Sequence, residues 1–481
     1  MRSRIGILAF LSFSALILAT GGCGTRPLGS GGGASSGTSV PFTLAVTDQP
    51  PSGVTILSFT ITVTGAVLQP NNVSVLNAPI TLEVTQLQTD TDLLANMDIA
   101  PGTYTDLILT FSNPTVTFLN QAVPIGSCAV GSICQLPEVT SPSTVDFNTG
   151  ALPLTVTSGT PVALLLDFSL NNLLQPDMTL NLAAPGGFAL TQFQNVTTGA
   201  ILGESGDVAG VVTAVGTNQF AFTTLNGVSL TVATTSSTQF FFPSATCAAN
   251  DFTCITTGEL ISTDLSILGD GSFQAATVAF EDATGKTGIS GTIVSINAAA
   301  NPPTFGIVIR GSAPTPDGIN IGDQATVTIQ PTATFVIDND VSSLASGFTF
   351  ATVADLVVGQ EVLVRADTVA TGPDTISTTQ IVLRQSEWTA NVGAINVGQG
   401  TFGLGSLPSI FTTALPTNIT TLNVNTSSST QFLNLTPAGV GGLAAQNPVS
   451  VKGLIFNTIL SIGQPSVVAT VVVGRNPAAL P

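Results

Sequence analysis

From Pro41 onward the chain is written in short runs that alternate apolar residues with small or hydroxylated ones, each closed by proline or glycine. Phe42-Thr43-Leu44-Ala45-Val46-Thr47-Asp48 stops at Gln49-Pro50-Pro51. Leu57-Ser58-Phe59-Thr60-Ile61-Thr62-Val63 repeats the pattern, and Thr105 to Phe111 does so after the Pro101-Gly102 turn. Period two puts one face of an extended strand in a core and leaves the other wet. Breaks at this frequency indicate a sandwich or barrel. One short helix is expected at Asp90 to Met97.

Composition agrees. Hydrophobic residues make up 43% of the 481 residues and charged ones only 7%, against about 25% in ordinary globular chains. Solubility therefore falls to Thr, Ser, Asn, Gln and Gly, and β-branched Thr favours strands. The net charge is −18, and removing residues 1–22, with Arg2 and Arg4 and no acid, makes it −20. Such acidity repels phosphate backbones, so no nucleic-acid partner is expected. There is no histidine, which removes the commonest general base, the usual zinc ligand and every His-dependent triad.

The chain opens Met1-Arg2-Ser3-Arg4, runs apolar from Ile5 to Ala19, and reaches Thr20-Gly21-Gly22-Cys23. A basic start, a short apolar stretch and small residues make a secretory signal over residues 1–22. Small residues before a cysteine resemble a bacterial lipobox, whose cysteine, here Cys23, receives the lipid. Thr20 stands where that motif favours Leu, and cleavage after Gly21 by the ordinary signal peptidase is the alternative. Residues 24–39, GTRPLGSGGGASSGTS, form a flexible tether, so residues 23–40 read as anchor and spacer. Gly24, not Asp, follows the cysteine, which leans toward the outer membrane or cell surface. The other four cysteines fall in two close pairs, Cys128 with Cys134 and Cys247 with Cys254. In an exported chain these read as disulfides; a metal is the weaker alternative, since neither pair has CxxC spacing.

The segments TLAVTDQPPSGVTILSFTITVTGAVLQ, ITLEVTQLQTDTDLLANMDIAPGTYTDLILTF and PVALLLDFSL resemble a bacterial family of exported proteins, domain of unknown function 4382, over residues 41–198. The resemblance implies no activity and brings no catalytic residues. Beyond it the chain repeats. Ser-Ser-Thr-Gln-Phe occurs at Ser236–Phe240 and again at Ser428–Phe432, with Ala333-Thr334-Phe335 midway. Each unit opens alike, at Gly210-Val211-Val212, Gly291-Thr292-Ile293 and Ala390-Asn391-Val392. Three domains follow, at 207–283, 288–386 and 388–475, each too long for a solenoid repeat. In the first, Phe220–Leu225, Asn226-Gly227 and Val228–Val232 predict a hairpin with a two-residue turn. The G-x-V opening, the central T-x-F and a late G-x-x-V (Gly359 to Val362) resemble a second family, domain of unknown function 5666, which implies small barrels in tandem. Copy three departs with Ala390 at the opening glycine. The expected fold class is all-β: an N-terminal β-sandwich followed by three tandem small β-barrel-like domains.

Few residues suggest chemistry. Asp338-Asn339-Asp340 has the spacing that starts calcium loops, but Ser343 stands at the sixth position, where glycine is required; Asx turns explain it as well. Asp338 and Asp340 remain weak calcium candidates, and no other metal or cofactor is expected. Trp388, at a domain boundary, suits interdomain packing better than ligand stacking. Glu204 and Asp207 read as solvated linker residues. Lys286 and Lys452 are the only lysines available to a Ser–Lys nucleophile pair. The expected role is therefore non-catalytic: binding, adhesion or scaffolding by an array of rigid domains held to a membrane by an N-terminal lipid, with a glycan or surface protein as partner. The alternatives are a hydrolase using paired carboxylates, with Glu83, Glu138 and Asp167 as candidates, and a calcium-stiffened adhesin.

Overall fold

The computed structural model describes residues 39–475 apart from 51–54, 122, 138–142, 194–200, 225–227, 243–245, 269, 282–286, 314–317, 339–343, 345–346, 371–373, 414–417 and 458–463. The described chain is almost entirely strand. Its α-helices are the short turns Leu170–Leu173 and Ser409–Thr413, and no described helix is long and apolar enough to cross a membrane.

The N-terminal module is a sandwich of two sheets. In one, Phe188–Phe193, Val162–Ser169, Val40–Gln49 and Asp92–Ile99 lie side by side in that order. Its central pair, Val40–Gln49 and Val162–Ser169, is parallel, which requires a long crossover, and the whole second sheet lies between them in sequence. That sheet is built on the pairing of Thr55–Gln69 with Asp106–Leu119. Phe42, Phe59, Phe111, Phe118 and Phe168 fill the space between the sheets and are fully buried. Phe188 packs edge-on to Phe168 at 4.9 Å and stacks on Phe111 at 5.8 Å.

Three closed five-stranded barrels follow. The first is formed by Ile201–Val215, Gln219–Thr224, Ser229–Ala233, Leu260–Leu268 and Phe273–Phe280, and closes by parallel pairing of the third strand with the fifth. Its opening strand starts at Ile201 rather than at 207. The second barrel spans Thr287–Asn297 to Thr375–Arg384, and the third Ser386–Asn396 to Ser466–Gly474. In the first and third, a sixth short strand (Gln239–Phe241, Gln431–Leu433) lies parallel on the last strand. In the second, the single strand Gln324–Ile337 does both jobs across a register shift between Ile329 and Thr334.

The repeated pentapeptide has a structural reason. Thr238 Oγ1 donates to the Ala275 carbonyl at 2.8 Å and accepts from the Thr235 amide. Thr430 makes the same two bonds with Ala469 and Ser427. This buried hydroxyl ties the sixth strand's approach to the barrel wall. The opening glycine is likewise explained: a Cβ on Gly210 would meet the Thr223 carbonyl at 2.5 Å, and one on Gly291 the Val308 carbonyl at 2.6 Å. In the third barrel the partner strand Thr401–Gly405 stops pairing at Asn391, which leaves room for Ala390.

Three expectations need correction. Asp90 to Met97 is not helical. Asp92–Ile99 is a strand on Val40–Gln49, because Leu94 and Ala95 face the sandwich core while Leu93 faces the first barrel, and burial on both sides outweighs local propensity. The hairpin register pairs Gln219 with Ala233 and Thr223 with Ser229, and the Thr224 amide donates to the Val228 carbonyl. Three residues therefore separate the strands, not two. Most consequentially, the hydroxylated faces of the first strands are not wet. Thr43, Asp48, Ser58, Thr60 and Thr117 are all buried, because the barrels cover the outer faces of both sheets. Ala45 and Leu93 belong to the core of the first barrel, and Leu57 and Leu119 to that of the third. Residues 38–481 form one compact unit, not a row of separate domains.

Candidate functional site: a polar cavity where four modules meet

Only nine lysines and arginines occur in the chain, and three of them, Arg2, Arg4 and Arg26, precede the sandwich. Lys286 lies outside the described residues. The other five all join modules. Arg310 of the second barrel reaches the sandwich, where it donates to the Leu57 carbonyl at 2.6 Å and pairs with Glu83 at 3.0 Å. Arg365 and Arg384 of the same barrel both hold Glu281, at the end of the first, at 2.7 and 3.1 Å. Lys452 of the third barrel pairs with Asp90 of the sandwich at 2.7 Å, with Glu387 at 3.9 Å. Arg475, just past the last strand, donates to the Gln88 carbonyl and to Ser450 Oγ. In so weakly charged a chain, each of these five cations is a staple.

Several of these staples line a cavity of about 910 Å³, to which all four modules contribute. The second barrel supplies a row of side chains across adjacent strands. Thr292 pairs with Glu361 in register, Glu361 pairs with Arg384, and Arg310 sits at a bulge opposite Ser290 and Gly291. Thr292 Oγ1 donates to Glu361 Oε2 at 2.9 Å, while Glu361 Oε1 is buried without a hydrogen bond, as is Arg310 Nε. Burial pushes the Glu361 carboxyl up to about 7, against the pull of Arg310. From the sandwich comes Glu83, whose Oε1 accepts from the Phe59 amide and Thr85 Oγ1.

The other end of the cavity is the Lys452 cluster. Burial, and then repulsion from Asp90, push Glu387 well above the usual carboxylate range, and Lys452 opposes them. The Thr89 amide donates to Glu387 Oε2, and the Gly206 amide to Asp90 Oδ2 at 3.2 Å. A Cβ on Gly206 would fall 2.3 Å from Lys452 Nζ and 2.7 Å from Asp90 Oδ2, so a side chain there would push the ends of this ion pair aside. Glu204 is not a solvated linker residue. It accepts from Gln431 of the third barrel at 3.0 Å, and burial raises its carboxyl above the usual value.

A second buried polar group lies between the sandwich and the third barrel. Asp48 and Asp167 stand on the central parallel strands, where Thr47 is paired with Asp167, and both interact with Arg475. Burial, then Asp167, hold Asp48 well above the usual carboxylate value; burial raises Asp167 to about 6 despite Arg475.

The residues singled out in the sequence fall as follows. Glu83 lines the cavity, Asp167 does not, and Glu138 lies outside the described residues, so the proposed carboxylate trio is not gathered in one pocket. The carboxylates that do line it, Glu83, Asp90, Asp92, Asp323, Glu361 and Glu387, come from three modules and carry no linear motif. The signal that could have found them is the scarcity of cations: every Lys or Arg past the tether is a candidate interface residue. Cys128–Cys134 and Cys247–Cys254 are disulfides. Asp338 is engaged by Arg384 at 3.0 Å rather than open to calcium, and Asp340 lies outside the described residues, as do Cys23 and residues 1–38. No group of three or more possible metal ligands occurs among the described residues. Trp388 packs between barrels, its Nε1 donating to the Gly359 carbonyl at 2.9 Å and its ring edge-on to Phe411 at 5.0 Å.

Comparison with known proteins places the sandwich. Residues 39–190 match the family described as Domain of unknown function (DUF4382), the same family that the strands of the N-terminal module resemble. No curated protein matches the chain. A solved structure, drosophila Unr CSD456, aligns over 57% of this chain and 98% of its own at 11% identity, with a TM-score of 0.13, too low to carry any argument.

Proposed function

We propose that the chain is an exported, lipid-anchored binding protein of the bacterial cell envelope, without catalytic activity, and that the four-module cavity is its ligand site. The observation that carries this reading is the cavity itself. Its volume suits a small-molecule or chain-end ligand, its walls come from four modules locked by buried ion pairs, and two of its lining residues, Arg310 and Glu361, each keep a polar atom buried without a hydrogen bond. Two disulfides fit an oxidising compartment, and the signal and Cys23 tether fit an anchored body standing off a membrane. The three barrels, on this reading, belong to the second family resembled and serve to wall the site.

Binding to isolated envelope fractions tests the site. Thr62→Trp, which fills the cavity from the sandwich wall, should abolish binding without lowering the melting temperature; undiminished binding would remove the cavity from the account. Labelling with radioactive palmitate tests the anchor, and incorporation lost in Cys23→Ala is expected.

One arrangement favours a second reading. Glu361, a buried acid raised toward neutrality, shares the cavity with Glu83, which is ion-paired with Arg310; an acid beside a paired carboxylate is the equipment of glycoside hydrolysis. Release of reducing sugar that Glu361→Gln eliminates would establish that reading in place of simple binding.

A further inference from the structure

The chemistry of the cavity narrows the class of ligand, an inference that rests on the cavity being the binding site. The two unmatched groups are of opposite kind. Arg310 Nε is a donor on Thr304–Ala313 and Glu361 Oε1 an acceptor on Glu361–Ala370. These strands flank Thr287–Asn297 from either side. Arg310 is only 10% exposed, so bulk water does not satisfy it freely. An unmatched buried polar atom costs on the order of 1–3 kcal/mol, and a turn of either side chain toward the cavity, where a ligand hydroxyl pairs it, recovers that.

An anion at this point would meet Glu83 and Glu361, and a cation would meet Arg310 and Arg384. A hydroxyl group, being both donor and acceptor, suits both. The rest of the wall has the same character. Thr60, Thr115, Gln135, Ser290 and Asn320 contribute hydroxyls and amides, set among aliphatic side chains such as Ile80 and Ile319. That mixture matches a ring with polar edges and C–H faces. Among the described residues the one aromatic of the wall is Phe273, so recognition would come from hydrogen bonds rather than from stacking.

We infer that the cavity takes a neutral polyhydroxylated ligand, the end of a saccharide chain, with its hydroxyl groups bridging Arg310 and Glu361.

The test uses the full mature protein and isothermal titration with three kinds of probe. The neutral probes are maltotriose, cellotriose and N-acetylated chitotriose, the anionic one trigalacturonate, and the cationic one triglucosamine. At least one neutral trisaccharide should bind and displace the protein from envelope fractions, and the charged probes should bind at least ten-fold more weakly. Arg310→Met and Glu361→Ala should each weaken the neutral ligand ten-fold or more. Asp177→Asn, on an exposed loop, should leave binding unchanged. Because Arg310 also holds Glu83, Thr62→Trp serves as the independent blocking variant, with circular dichroism and melting recorded for each. Preference for a charged trisaccharide, abolished by Thr62→Trp, would overturn the ligand class and leave the cavity standing. Envelope binding lost in Thr62→Trp, with no saccharide able to compete, would do the same. Envelope binding indifferent to Thr62→Trp would overturn both.

Discussion

Removing the ammonium group of Lys452 tests whether the modules are locked as described. In Lys452→Met the side chain keeps its length and apolar stem, but Asp90 and Glu387 lose their shared cation. Side-chain exposure is 10% for Lys452 and 15% for Asp90, so water reaches the stranded carboxylate poorly. Its remaining donors are the Gly206 amide at 3.2 Å and Thr89 Oγ1 at 3.4 Å, both weak. Breaking a buried pair by removing one partner costs about 3–5 kcal/mol, and slight exposure places this one near about 3 kcal/mol. Pairing Lys452→Met with Asp90→Asn removes the uncompensated charge, and most of the loss should return. Equilibrium unfolding in guanidinium at pH 7 measures both variants. The single variant should also be cut faster by protease, since the same pair joins the third barrel to the sandwich. Stability within 0.5 kcal/mol of the parent, with the double variant no better, would mean that water already solvates this pair and the modules do not close on it.

Other consequences follow from the buried carboxylates and close approaches. Asp167 at about 6, Glu361 at about 7 and Glu387 higher than its usual value are acids whose folded pKa is raised, so between about pH 4.5 and 8 the folded state binds more protons than the unfolded one. The stability these groups contribute is full below about pH 4 and is lost as pH rises through these values. Calorimetric melting should show a lower melting temperature at pH 8.5 than at pH 5.5, and the opposite order would refute the burial of these groups. Gly206→Ala should lower the melting temperature by several degrees while circular dichroism keeps its strand signal, because the added methyl separates Lys452 from Asp90 without touching a barrel core. Reduction of Cys247–Cys254 should destabilise the first barrel by about 2 kcal/mol, the loop-closure value for so short a ring, read as a shift in the urea midpoint.

Much of the fold was legible from alternation and turns. Phe42, Leu44 and Val46 point to one side because strands have period two, and the repeated Ser-Ser-Thr-Gln-Phe does mark equivalent places in the first and third barrels. The alternate residues misled. Thr43 and Ser58 read as solvent-facing hydroxyls, yet both are buried; on the same sheets Thr117 Oγ1 donates to Gly322 of the second barrel at 2.8 Å and Thr55 meets Ser409 of the third at 2.7 Å. A hydroxyl can be satisfied by water or by a neighbouring module's carbonyl, and a linear pattern does not distinguish them. Val162–Ser169 did carry the sign, since VALLLDFS is too continuously apolar for a strand with one wet face. The cavity was hidden for another reason. Glu83, Arg310, Glu361 and Lys452 are separated by tens to hundreds of positions, and only docking brings them together.

Small-angle scattering from residues 38–481 most directly tests whether the three barrels close around the sandwich. A single packed body of this length has a radius of gyration of about 22 Å, and that value is expected at neutral pH and physiological salt. Four modules strung out in a row would give roughly 30 Å or more, with a long tail in the distance distribution; such a curve would contradict the cavity, its ion pairs and the ligand site together.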